Sequence, residues 1–178
     1  MKLNVISRER LYSGFLKMDK LTIRLPNGEE IKREVIQKRN VIAILAVTQD
    51  GEIYLTKQPR AGADNLESIE IPAGLIEDGE DPEVAALREL NEETGCVSTK
   101  PLISLGTFIG DPACTTGRAH LFLARNVVKV NEPHLDGDEY LESFTRSICE
   151  TYVMLERGVI CDANSVIALE RARKYLLN

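Results

Sequence analysis

No C-x-x-C pair occurs among the four cysteines, Cys96, Cys114, Cys149 and Cys161, and the only two histidines, His120 and His134, stand apart in the sequence. This spacing excludes a structural zinc site and a disulfide framework, and leaves buried, unmodified thiols in a reducing compartment as the expectation. Long hydrophobic runs are missing as well. The longest stretch without a charged or turn residue is Val41 to Thr48, far short of the ~20 residues that a membrane helix needs. The N-terminus, Met1-Lys2-Leu3-Asn4-Val5, shows neither an apolar core nor a small-residue cleavage site, so no signal peptide is expected. Basic residues are in deficit, 22 against 28 acidic, with a net charge of −6 and a pI near 5.1. A duplex nucleic-acid binder usually needs the opposite balance. Repeats, low-complexity tracts and Ser/Pro-rich linkers are also absent. What remains is 178 residues, 43% apolar and 28% charged, the composition of an ordinary globular protein. One soluble cytoplasmic domain with a short appendage is expected.

The acidic residues are not spread evenly. Glu77, Asp78, Glu80, Asp81, Glu83, Glu89, Glu92 and Glu93 are answered within the same window only by Arg88, so residues 77–93 carry −7 and the remainder of the chain +1. The chain has one acidic site.

Local patterns predict a mixed α/β architecture. Leu21 to Leu25, the turn Pro26-Asn27-Gly28 and Ile31 to Ile36 read as a hairpin. Val41 to Thr48 suits a strand buried on both faces, and Gln49-Asp50-Gly51 turns it into Glu52 to Thr56. Residues 59–68 read as a surface loop. Asp81-Pro82 has the form of an N-cap followed by a helix-starting proline, with Gly95 as the stop. Between them Val84, Leu87 and Leu90, with Ala86, form an apolar stripe at helical spacing. Residues 102–109, 118–128 and 140–148 are expected as further strands. Ser147 with Glu150 resembles a capping box for a helix ending at Gly158, and Asp162 caps a last amphipathic helix. Strands broken by one central helix and followed by two terminal helices suggest a mixed sheet sandwiched between helices.

On the central helix Glu89 and Glu93 are i and i+4, and Glu89 and Glu92 are i and i+3, so the three project from neighbouring positions. Unrelieved, such like-charge pairs cost roughly 0.2–0.5 kcal/mol each. A rigid carboxylate cluster of this kind is what a hard divalent cation such as Mg²⁺ requires, and Mg²⁺ suits phosphate-bearing substrates. A solvated acidic helix face would present the same pattern. The residues alone leave both readings open.

Gly74, Glu80, Arg88-Glu89-Leu90, Glu92-Glu93 and Gly95-Cys96 resemble, position by position, the G-x5-E-x7-R-E-U-x-E-E-x-G-U signature of the Nudix hydrolases, U being apolar. Nine constrained positions fall within 23 residues. Only Cys96 departs in character, since a larger aliphatic residue is commoner there. The resemblance implies an α/β/α Nudix sandwich and a Mg²⁺-dependent hydrolase, with Mn²⁺ as a substitute metal. It further implies that Glu89, Glu92 and Glu93 hold metal, and that Arg88 and Glu80 orient those ligands.

The flanks resemble the ADP-ribose pyrophosphatase branch, through Gln58-Pro59-Arg60, Glu70-Ile71-Pro72-Ala73-Gly74 and Pro112 in the loop after the box. Ala113 stands where that branch usually has glycine. By this resemblance the Ala73 carbonyl is a further metal ligand, Arg60 reaches the diphosphate, and Arg39, Glu70 and Pro112 lie against substrate. The implied domains are a β-hairpin appendage over 1–39, a dimerisation element in resembling enzymes, and a hydrolase domain over 40–178. A homodimer is therefore expected. The implied reaction is hydrolysis of ADP-ribose to AMP and ribose 5-phosphate. Its rivals are another nucleoside diphosphate sugar, such as GDP-mannose or ADP-glucose, and a non-hydrolytic nucleotide sensor, which would usually have lost box glutamates. Enzymes resembling this one often take a general base from a downstream loop. Here that loop is residues 132–139, and Glu139 is the expected base, with Asp138 and Glu142 as alternatives.

Overall fold

The computed structural model describes residues 3–63, 67–135, 137 and 140–177. The elements are β1 (Asn4–Ser13), β2 (Lys17–Arg24), β3 (Glu30–Gln37), β4 (Val41–Thr48), β5 (Glu52–Pro59), β6 (Glu67–Glu70), β7 (Ala73–Leu75), α1 (Pro82–Thr94), β8 (Cys96–Ser98), β9 (Ile103–Ile109), β10 (Arg118–Lys129), β11 (Glu142–Ser147), α2 (Ile148–Glu156) and α3 (Ala163–Leu176). They form two compact units: the chain up to Asn40 together with Ile109–Arg118, and Val41–Phe108 together with Ala119 onward.

The first unit carries a three-stranded antiparallel sheet in the order β1-β2-β3. The β2–β3 hairpin turns as its residues predict, with Gly28 at φ 90° donating its N–H to the Leu25 carbonyl at 2.9 Å. Strand β1 was not expected. Every one of its residues is exposed, so it has no buried alternation for a sequence reading to detect. It is held by pairing to β2 and by Arg8 and Arg10, whose guanidinium groups both donate to the fully buried carboxylate of Asp19. Segment 109–118 docks on the end of β3, where Ile36 N–H donates to the Cys114 carbonyl at 2.8 Å and Thr116 N–H to that of Ile36 at 3.2 Å.

The second unit is built on an eight-stranded mixed sheet whose main path runs β11-β5-β4-β10-β8. Strand β10 runs parallel to β4, whereas β8 with β10, β11 with β5, β4 with β5, β4 with β7 and β5 with β6 pair antiparallel. The alternation of a strand sends successive residues of β4 to opposite faces. Ala43, Leu45 and Val47 join Leu121, Leu123, Tyr152, Ile160 and Leu169 on the α2–α3 side. Ile42, Ile44 and Ala46 join Ala85, Ala86, Leu90 and Cys96 on the α1 side. The expected helix–sheet–helix layering is therefore present. Glu67 and Ser68, expected in a loop, instead belong to β6, which pairs with β5.

Two further expectations need correcting. On α1, Val84 and Leu87 are exposed, and the buried face is Ala85, Ala86, Glu89, Leu90, Glu93 and Thr94. Two small alanines bring the helix close to the sheet, and two acids share the inward face. Of the cysteines, only Cys96 is buried; Cys114 is half-buried, and Cys149 and Cys161 are exposed.

Candidate active site

Helix α1 starts where its caps predict. The Asp81 carboxylate accepts the Glu83 N–H at 2.9 Å, Pro82 occupies the first turn, and Gly95 ends the helix in the left-handed region at φ 71°. Gly95 is required twice over, because a Cβ there would overlap the Asn131 carbonyl. Arg88 organises the acids along this helix. Its Nε donates to Glu80 at 2.9 Å, its Nη2 to Glu80 at 3.1 Å and to the Leu75 carbonyl at 3.0 Å. Its Nη1 donates to both Glu89 and Glu92 at 2.8 Å. These bonds, Glu80 foremost, push the guanidinium above its usual range, while Arg88 holds the Glu80 carboxyl below its own. The like-charge cost across Glu89 and Glu92 is thereby offset by one shared cation.

Opposite the helix lies the segment entering β7. The Ala73 N–H donates to Glu93 Oε2 at 3.1 Å. A Cβ on Gly74 would overlap the Glu89 carboxylate, so glycine here leaves the space that this side chain fills. Glu89 and Glu93 are both buried, whereas the Glu92 side chain is 41% exposed. Among the described residues no three acidic, imidazole or thiol side chains already close on a single point. The donors are nevertheless all oxygen and mostly anionic, packed against a backbone cleared by glycine, and this set suits a hard divalent cation.

Arg60, just past β5, donates from Nε to Glu70 Oε1 at 3.0 Å and from Nη2 to Oε2 at 2.8 Å. Gln58 Nε2 adds a longer bond to Oε2 at 3.4 Å. The Glu70 bond, reinforced by the charges of Glu93 and Asp162, raises the Arg60 pKa against the opposing effect of burial. Sequence reasoning placed Arg60 and Glu70 each near substrate. It did not foresee that they form a forked pair with each other.

Arg39 and Pro112 belong to the first unit and are both exposed. Pro112 sits in a turn closed by Asp111, whose carboxylate accepts the Ala113 N–H at 3.1 Å and the Cys114 thiol at 2.7 Å. Those bonds, the thiol first, hold the Asp111 carboxyl below its usual range. Glu139 and Asp138 lie outside the described residues. Glu142 is exposed at the start of β11, opposite Lys57. One residue escaped the sequence reading altogether. Ser165, fully buried on α3, accepts the Ile71 N–H on its hydroxyl at 2.9 Å. Its only sequence signal is its place three residues after the capping Asp162.

The NUDIX domain family model matches residues 37–150, and the chain belongs to that family. It is 35% identical over 167 residues to an ADP-ribose pyrophosphatase of Bacillus subtilis, covering 93% of this chain and 89% of that protein. It is equally similar, at 35% over 169 residues, to a methanol dehydrogenase activator of Bacillus methanolicus. An ADP-ribose pyrophosphatase of Escherichia coli K12 matches at 33% over 181 residues, covering 93% and 85% of the two chains. Among solved structures, one described as an ADP compounds hydrolase superposes with a TM-score of 0.84 at 22% identity, covering 99% of this chain and 95% of its own. That likeness concerns the fold.

Proposed function

We propose that this protein hydrolyses the diphosphate of a nucleoside diphosphate sugar, with ADP-ribose preferred and AMP and ribose 5-phosphate as products. The observation that carries the reading is the buried Glu93 carboxylate held on the Ala73 N–H, with the Arg60 guanidinium fork held by Glu70 just before that segment. Two parallel N–H donors match phosphate oxygens as well as they match the carboxylate they now hold. Glu70 and Gln58 keep that fork oriented until substrate arrives. Glu89, Glu92, Glu93 and the Ala73 carbonyl would hold Mg²⁺, or Mn²⁺ in its place, which when bound neutralises and polarises the diphosphate. Arg88 and Glu80 orient Glu89 and Glu92. Arg39 and Pro112 contact substrate, and Glu139, or failing it Asp138 or Glu142, takes the proton of the attacking water. The similarity to ADP-ribose pyrophosphatases supports the substrate, and the complete set of box glutamates supports turnover rather than sensing.

Residues 1–39 serve as a dimerisation appendage to a hydrolase domain over 40–178, in a cytoplasmic homodimer. Exposed Val5, Ile6, Leu11 and Tyr12 on β1 support that arrangement. Among the described residues no helix is long and apolar enough to cross a membrane.

A hydrolysis panel with Mg²⁺ tests the reading. ADP-ribose should show the highest kcat/KM among ADP-ribose, ADP-glucose, GDP-mannose, NADH and nucleoside triphosphates. Preference for GDP-mannose or a triphosphate would overturn the substrate, and binding without turnover would overturn the reaction.

A further inference from the structure

The segment Ile71-Pro72-Ala73 has only two N–H donors, because proline has none. Neither donor goes to a neighbouring strand. The Ile71 N–H goes to the Ser165 hydroxyl at 2.9 Å and the Ala73 N–H to the Glu93 carboxylate at 3.1 Å. The carbonyls beside them are held by the sheet: that of Pro72 by the Ile44 N–H at 2.8 Å, and that of Glu70 by the Thr56 hydroxyl at 3.4 Å. Ser165 ties this segment to α3, 94 positions along the chain. It is itself fixed, since its N–H donates to the capping carboxylate of Asp162 at 2.8 Å. Ser165, Ile71 and Thr56 are completely buried, so no solvent stands ready to replace the hydroxyl.

We propose that Ser165 is a positioning residue for the active site, its hydroxyl setting the Ile71–Ala73 backbone on which Glu93 rests. Without the hydroxyl the Ile71 N–H is a buried, unpaired donor, and Ile71 shifts toward another acceptor. Ala73 lies two residues on, and the fixed φ of Pro72 removes one of the torsions that could absorb the shift between them. The Ala73 N–H and carbonyl are displaced with it, against the sheet bond that holds the Pro72 carbonyl. Loss of the hydroxyl is thus felt at two of the proposed metal-holding groups, although Ser165 touches neither. This inference rests on the metal-dependent reading above.

The test is Mn²⁺ titration of the full-length protein by electron paramagnetic resonance, alongside steady-state kinetics and thermal melting. Ser165→Ala should raise the Mn²⁺ dissociation constant about tenfold, the low end of what losing an outer-shell partner costs, and should lower kcat/KM for ADP-ribose in step. Ser165→Thr, which keeps the hydroxyl, should stay within about threefold of wild type on both. Ser165→Cys, with a weaker acceptor, should fall between them and serves if the alanine variant does not fold. A lowered melting temperature with unchanged Mn²⁺ affinity and kcat/KM, in the alanine or cysteine variant, would reduce Ser165 to a structural residue and overturn the inference. Wild-type protein that binds no Mn²⁺ would instead overturn the metal-dependent reading, and this inference with it.

Discussion

The Ala73 N–H donates to Glu93 Oε2 at 3.1 Å, joining the strand that precedes the acidic motif to the helix that carries most of it. Because Glu93 is buried, this bond fixes a charged group where water cannot compete for it, and a buried charge needs such partners. The backbone of β7 is therefore as much a part of the candidate site as the glutamates are.

Gly74, next in that strand, gives the first prediction. Gly74→Ala should displace the Glu89 carboxylate, since the added Cβ would occupy its place. Overpacking of this sort costs about 1–3 kcal/mol. Chemical denaturation should show that loss together with weaker metal binding. A variant with wild-type stability and metal affinity would mean that Glu89 does not sit where described.

The second prediction concerns Arg60. Arg60→Lys keeps the charge but loses the fork now bonded to both oxygens of Glu70. Hydrogen bonds to charged groups are worth about 1.5–3 kcal/mol, and Arg60 is 45% exposed, which discounts them. Steady-state kinetics should show KM for ADP-ribose rising about tenfold, with kcat changed much less. An unchanged KM would remove Arg60 from the diphosphate.

Much of this arrangement was legible in advance. Asp81, Pro82 and Gly95 announce α1 because caps act on adjacent backbone, and Val41 to Thr48 reads as a central strand because burial on both faces demands an unbroken apolar run. The apolar stripe failed for a physical reason. Val84 and Leu87 are exposed, and Glu89 and Glu93 take the inner face, where the space beside Gly74 and the Ala73 N–H receive their carboxylates. Hydrophobic periodicity cannot register that exchange. Strand β1 escaped because it is held by pairing and by ion pairs to Asp19 rather than by burial. The Arg60–Glu70 pair and the Ser165–Ile71 bond escaped because contacts between distant residues leave no local pattern.

Asp19 supplies the third prediction. Its hydrogen bond from Arg10, aided by Arg8 and opposed by burial, holds its carboxyl below the usual range. A carboxyl depressed in the folded state stabilises fully above its unfolded pKa, about 3.9, and loses that contribution as pH falls through the folded value. Wild-type stability should therefore fall as pH drops below about 4. Asp19→Asn should be less stable at pH 7 and lose this part of the acid dependence. Denaturation midpoints of both proteins at pH 7 and at pH 3 provide the check; parallel acid losses would contradict the assignment.

The account turns on the buried glutamates acting as ligands rather than as a solvated face, and Glu93→Gln tests this most directly. The substitution preserves shape and an oxygen for the Ala73 N–H while removing the charge. Mg²⁺-dependent turnover of ADP-ribose, measured on protein shown by circular dichroism to be folded, should fall by more than the roughly 10–100-fold that an outer-shell loss costs. Near-normal Mg²⁺-dependent turnover by a folded Glu93→Gln protein would contradict the account.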